Sequence, residues 1–271
     1  NIDVAIQTLS ETPPDKPFCA YVYVPDPHRP YIKHDEFYYG SSITDLYDGE
    51  LSYTDHQMGR FFEWMEKSGR LEDTVVVIMS DHGESLGERG VFRHSTQVHN
   101  EQMRVPMIVY VPGQQPRRVA DYVSSIDLGS TILDIVGVEI PGQYIGVSLL
   151  PLIKGEQLAR PPVYGEQTSQ DMSPFLRLDQ QVHPETKKYM VITQDGHKLI
   201  YNRDFYSFEL YDLNNDPGEL RNLYGRTADK GDYLKRLMGR FVDVVTASRP
   251  PDADEGRYSR SGGVDGDKVD E

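Results

Sequence analysis

A single cysteine, Cys19, stands among 271 residues, which excludes an internal disulfide and any cysteine-rich metal site. It lies inside the apolar run FCAYVYV and reads as a buried small hydrophobe rather than a nucleophile. Basic residues are scarce beside acidic ones: 28 Lys and Arg face 43 Asp and Glu, a formal net charge of −15. That balance argues against a nucleic-acid partner, because a phosphate backbone is held by clustered Lys and Arg. It also requires any anion site to be locally positive or metal-bearing. Long apolar runs are missing as well. None approaches the ~20 residues of a membrane span, and the start carries no signal-peptide pattern. No Met opens the chain, and NIDVAIQTLSE reads as the interior of a helix. The sequence is therefore expected to be part of a longer protein, and its location stays open.

What is present alternates between two periods. PFCAYVYV (17–24), TVVVIMS (74–80) and VPMIVYVPG (105–113) are apolar, β-branched or aromatic runs that predict buried strands. Between the first two, Tyr47, Leu51, Thr54, Met58, Phe61, Phe62 and Met65 recur at three- and four-residue steps. That spacing predicts an amphipathic helix over 44–67, ended by Ser68-Gly69. Another helix is predicted over 123–136. Strand, helix, strand, loop, strand is α/β order and leads us to expect a parallel sheet with right-handed crossovers. After PLIKGEQLARPP the grammar changes. Short strands at 188–193, 197–201 and 207–211, with QDG as a turn, predict an antiparallel meander, and 232–247 a helix packed on it. The tail from Pro250 is rich in Gly, Ser, Asp and Arg and is expected to be disordered. The expected organisation is 1–155, part of a large α/β domain; 156–248, an antiparallel α+β subdomain; and 249–271, a disordered tail.

Ligands of open α/β sheets bind beyond the carboxyl ends of the strands. Two predicted strands end there in polar clusters: Asp26 and His28 after the first, and Asp81, His82 and Glu84 after the second. Asp81 and His82 sit where a strand breaks into a Gly-containing turn, so an oxygen and a nitrogen can converge on one Mn2+ or Zn2+. The blander reading makes Asp81 a turn cap and His82 an ordinary rim histidine. His28 is held between prolines in PHRPY. His94 follows a Gly-rich charged loop and could donate a proton to a leaving oxygen or stabilise an anion. His99 reads as structural or as a support behind the site residues, and Asp55 as a solvated charge on the long helix.

The order of these motifs is familiar. PHRPY, YDGELSYTDHQMGRFFEWM, TVVVIMSDHGESLGERGVFRHS and NEQMRVPMIVYVPG together resemble the sulfatase family of the alkaline-phosphatase-like superfamily. The similarity continues through SSIDLGSTILDIVGVEIPGQYIGVSLLPLIKGE to FELYDLNNDPGELRNLYG and covers roughly residues 15–245. It implies a mostly parallel sheet flanked by helices, with a small C-terminal antiparallel sheet and a packed helix. It further implies Asp81 and His82 as ligands of one divalent metal (Ca2+ or Mn2+, with Zn2+ a further option). His28 and His94 become catalytic residues at the transferring group. The substrate implied is a sulfate ester of a small molecule, carbohydrate or lipid.

The departures are equally specific. The family's nucleophile motif, a Cys or Ser matured to formylglycine, has no match here, and Tyr23 stands where Cys19 would need an arginine. The nucleophile and the first pair of metal ligands are expected upstream, so the isolated chain should be inactive. Phosphonate or phosphate ester hydrolysis and phosphoethanolamine transfer stay open within the superfamily. Outside it, a non-catalytic binding or structural protein on the same scaffold stays open too.

Overall fold

The computed structural model describes residues 1–168 and 187–247, which divide into two compact units. The first comprises 1–94, 101–120 and 125–159; the second takes 95–100, 121–124 and everything from 160. The expected disordered tail lies outside the described residues. Among those described, no helix is long and apolar enough to cross a membrane.

In the first unit, α1 (Ile2–Glu11) is followed by α2 (Ile43–Lys67). The start of α2 is fixed by a reciprocal cap: Asp45 N–H donates to Ser42 Oγ and Ser42 N–H to the Asp45 carboxylate. Gly69, at φ 73°, turns the chain away just past its end. Four short strands follow: β1 (Val76–Met79), β2 (Ser85–Leu86), β3 (Phe92–Arg93) and, after the four-residue α3 (Asn100–Met103), β4 (Met107–Tyr110). Beyond them α4 (Asp127–Ile135) and α5 (Leu150–Lys154) complete the unit. Here α4 buries polar rather than apolar groups. Asp127 accepts from Val147 N–H, Thr131 Oγ1 from Leu149 N–H, and Ser130 donates to the Gly146 carbonyl, pinning the segment that leads into α5.

Three expectations need correction. Residues 17–24 form no paired strand; Val22 and Val24 are half-buried while Tyr21 and Tyr23 are exposed. The alternation is that of an extended, one-sided segment that no ladder reaches among the described residues. Cys19 consequently is exposed, not buried. The third concerns pairing: β1 and β4 pair antiparallel, Val76 opposite Tyr110 through Met79 opposite Met107. A parallel return needs a crossover long enough to carry the chain back across the sheet, usually a helix. The link here holds only a hairpin and α3. Nor are these strands covered on both faces, since Met79, Ile108 and Tyr110 are exposed.

The second unit follows its sequence pattern closely. Strands β5 (Val163–Thr168), β6 (Lys187–Ile192), β7 (His197–Asn202) and β8 (Ser207–Asp212) form one antiparallel sheet in chain order. Only β5 lacked a sequence signal, because GEQT offers no apolar alternation. Helix α6 (Ala228–Ala247) places Leu234 and Met238 against Tyr189, Val191, Leu199 and Leu210. The Phe241 ring stacks on Tyr164 at 4.6 Å.

This unit also buries charge. Glu209 accepts from the Tyr211 hydroxyl and lies 3.2 Å from His99 Nε2, so His99 has a structural role. The bond from His99, against the opposing cost of burial, lowers the Glu209 carboxyl from 4.5 to about 2. A carboxyl with a depressed folded-state value contributes stability above its unfolded value and loses it as pH falls towards the folded one. Denaturation midpoints of the full protein should therefore fall between pH 4.5 and about 2. Glu209→Gln should flatten that part of the curve; an unchanged slope would reject the assignment.

Candidate active site

The site is built on the end of β1. Ser80 Oγ donates to the His82 carbonyl at 2.7 Å, and the His82 N–H to Asp81 Oδ1 at 2.9 Å. This closes a tight turn that turns two consecutive side chains outward. The turn then presses against the chain at 101–102. Gly83 N–H donates to the Gln102 carbonyl at 2.8 Å, and a Cβ on residue 83 would sit 2.2 Å from the Glu101 carbonyl oxygen. Glycine is demanded by that approach. Gly83→Ala should cost about 1–3 kcal/mol through the forced backbone shift, measured as a lower thermal midpoint of the full protein; an unchanged midpoint would contradict the packing.

The same turn orients His82. A carbonyl only accepts, so His82 Nδ1, 2.9 Å from the Gly83 carbonyl, donates to it. Nε2 faces away from that bond, 3.7 Å from Asp81 Oδ2. One hard oxygen and one borderline nitrogen stand side by side, and a backbone carbonyl orients the ring. That is the arrangement of a metal-binding histidine. The donor chemistry fits a divalent cation, as two of its ligands.

His94 reaches this point by strand register. Ser85 faces Arg93 and Leu86 faces Phe92 in the β2–β3 hairpin, so Glu84 and His94 emerge as cross-strand neighbours. The hairpin turn uses Gly87, Arg89 and Gly90 at positive φ, and Gln102 clamps it by donating to Ser85 Oγ and the Arg93 carbonyl. The His94 ring stacks on His82 at 3.9 Å between centroids, with Nδ1 3.4 Å from Glu84 Oε2. The His28 ring centroid lies 5.6 Å from that of His94. His28 Nδ1 donates to the Arg29 carbonyl at 2.8 Å, so Nε2 is again the outward face.

Glu84 sits beneath the histidines. Its side chain is only 6% exposed. Burial alone would raise its carboxyl, but His94, the hydroxyl of Tyr31 and the nearby His82 outweigh that and hold it below the usual range. Tyr31 is pushed up in turn, by burial first and then by Glu84. A cavity of about 90 Å3 opens here, lined by Asp26, His28, Asp81, His82 and Glu84 among others. A wider, open hollow of about 530 Å3 lies among Phe37, Tyr39, Leu51, Ser52, Asp55 and His56. Of the titratable residues weighed in the sequence it contains Asp55, which is exposed.

The structure thus places Asp81, His82, His94 and His28 together. The sequence reading did not single out Tyr31, His34 or Glu50. Glu50 had a signal: it lies three residues after Tyr47, on the side of α2 that carries the apolar stripe, and it is 1% exposed. With His34 and Asp26 it forms a group whose ligand atoms all lie within 4.8 Å of one another.

Comparison with known proteins supplies the wider setting. A family model described as sulfatase matches residues 1–138. A second, described as N-sulphoglucosamine sulphohydrolase, C-terminal, matches residues 87–244. The N-acetylglucosamine-6-O-sulfatase of Bacteroides thetaiotaomicron is 29% identical over 203 residues, which is 74% of this chain and 35% of that protein. A protein solved in complex with its substrate D-glucosamine-2-N,6-O-disulfate is similar in structure, with a TM-score of 0.59 and 29% identity. The match covers 76% of this chain and 42% of that one. The phosphonate monoester hydrolase of Silicibacter pomeroyi superposes with a TM-score of 0.61 at 27% identity, over 76% of this chain and 41% of its own. The chain therefore spans well under half the length of these relatives.

Proposed function

Because this chain belongs to the sulfatase family, within the alkaline-phosphatase-like superfamily, we propose that it is part of a metal-dependent sulfuric ester hydrolase. The observation that carries the reading is the convergence of Asp81, His82, His94 and His28 on one rim, with the outward nitrogens of His28 and His82 set by backbone carbonyls.

In this reading Asp81 and His82 hold one divalent cation together with ligands from outside this sequence. When bound, the cation polarises the ester oxygens and offsets charge that builds on them. The chain's own residues do the positioning. Glu84 orients His94, so that its Nε2 faces the leaving oxygen and can deliver a proton to it. His28 Nε2 binds a sulfuryl oxygen. The stack of His94 on His82 holds the two rings in a fixed relation, the kind of placement on which rate depends steeply. The sequence supplies no match to a nucleophile motif, and Cys19 is outside the cavity lining. The 271-residue chain alone is thus proposed to be inactive.

A sulfated sugar is the substrate class we favour, since two of the relatives above act on or bind sulfated glucosamines. The phosphonate monoester hydrolase among the structural neighbours supports a second reading, phosphoryl ester hydrolysis. Comparing kcat/KM of the full-length protein for 4-nitrophenyl sulfate and a phenyl phosphonate ester separates them. A higher value for the sulfate is expected. A preference for the phosphonate would overturn the first reading in favour of the second, and turnover of neither would favour a binding role.

A further inference from the structure

We propose that Asp26, His34 and Glu50 form a second divalent-cation site, of zinc type, with a donor set separate from Asp81 and His82. The inference does not rest on the hydrolase reading. Its ligand atoms lie within 4.8 Å of one another, close enough to share one ion. Glu50 is the centre of the argument. Only 1% of it is exposed, yet its carboxylate oxygen Oε2 has no hydrogen-bond partner among the described residues. The other oxygen accepts the Ile32 N–H at 2.5 Å, and the His28 N–H also faces the carboxylate. These fix the group without satisfying Oε2.

A buried polar atom left so is costly, and buried charge is normally paired or metal-bound. The ionisable side chains around Glu50 are Asp26, which repels it, and His34. His34 Nε2 is likewise buried and without a hydrogen bond among the described residues, 3.9 Å from Glu50 Oε1. Its ring is stacked flat on Tyr53, 4.0 Å between centroids and 9° between planes, so Nε2 has a fixed aim. One imidazole nitrogen and two carboxylate oxygens suit zinc better than calcium, which favours six to eight oxygens. Three protein ligands with a fourth position open is an ordinary zinc arrangement.

The competing occupant is a proton. Burial first, then the charge of Asp26, push the Glu50 carboxyl up, so a neutral Glu50 could satisfy the same pocket. Zinc titration of the metal-stripped full-length protein distinguishes the two, read by equilibrium dialysis and by the visible absorption of the cobalt-substituted form. His34→Phe keeps the stack on Tyr53 and removes the ligand; Glu50→Gln keeps an acceptor for the Ile32 N–H and removes the charge. Loss of an outer-shell partner costs metal affinity about 10–100-fold, so loss of a ligand should cost at least about 100-fold. Both variants should lose one equivalent of zinc, while Asp81→Asn retains that equivalent. Equal zinc affinity and stoichiometry in wild type and His34→Phe would overturn the site, and so would wild-type protein that binds no zinc sensitive to Glu50→Gln. Loss of metal only in Asp81→Asn would reject this site and leave the hydrolase reading standing.

Discussion

Asp81→Ala and His82→Ala, made separately in the full-length protein, should lower bound divalent metal and sulfate ester turnover together. A metal acting as Lewis acid is worth several kcal/mol of transition-state stabilisation. At about 1.36 kcal/mol per decade this corresponds to roughly 10²–10³-fold in kcat/KM. The two variants should differ in kind. Asp81→Ala removes an oxygen and also frees the His82 N–H that it accepts at 2.9 Å. His82→Ala removes a nitrogen and also the ring on which His94 stacks, so it should show the larger fall in kcat. Asp81→Asn offers a control, because the amide oxygen still accepts the N–H while the charge is gone. Metal analysis decides the matter: full occupancy in both alanine variants would reject the ligand assignment even if turnover fell.

Those residues were legible for a reason that other features lacked. Asp81 and His82 stand at a composition break between the end of an apolar run and a glycine, and strand ends of α/β sheets are where ligands gather. His94 was visible as a histidine but not as a neighbour of Glu84. Its place follows from the two-residue ladders of the β2–β3 hairpin, and strands that short leave almost no periodicity to read. Helix α2 was legible because its apolar residues keep a helical period, and the β6–β8 meander because its short apolar runs, buried on both faces at Tyr189–Ile192, are bounded by turn residues. The 17–24 segment misled for the complementary reason. Apolar content marks a surface suited to burial, and it does not say which chain covers it. In the described residues Tyr21 and Tyr23 meet no sheet neighbour. His34 and Glu50 escaped because their meaning lies in convergence across a loop and a helix, which no local pattern records.

The second large effect belongs to the antiparallel unit. Lys198→Met should destabilise the protein by about 3–5 kcal/mol, the usual cost of breaking a buried ion pair from one side. Lys198 is in mid-sheet on β7, and both its side chain and that of Glu219 are fully buried. Its ammonium lies 2.7 Å from Glu219 Oε1 and 3.1 Å from Asn100 Oδ1. The Asn100 N–H in turn donates to Glu219 Oε2 at 2.7 Å. Sheet, the 217–219 turn and the 95–100 segment of the same unit thus meet in one polar knot, supported by Lys188 donating to the Thr96 carbonyl and Gln167 to that of Ser95. Methionine fills the lysine's volume but strands a carboxylate in a dry interior, where its desolvation is no longer repaid. For a unit in a chain of this size the loss corresponds to roughly 6–20 °C in thermal midpoint. The double variant Lys198→Met with Glu219→Gln tests the cause, since neutralising the stranded acid should recover part of the loss. Residues in one such network couple by about 0.5–3 kcal/mol. Strict additivity of the two changes would mean that the knot is held by packing and not by charge.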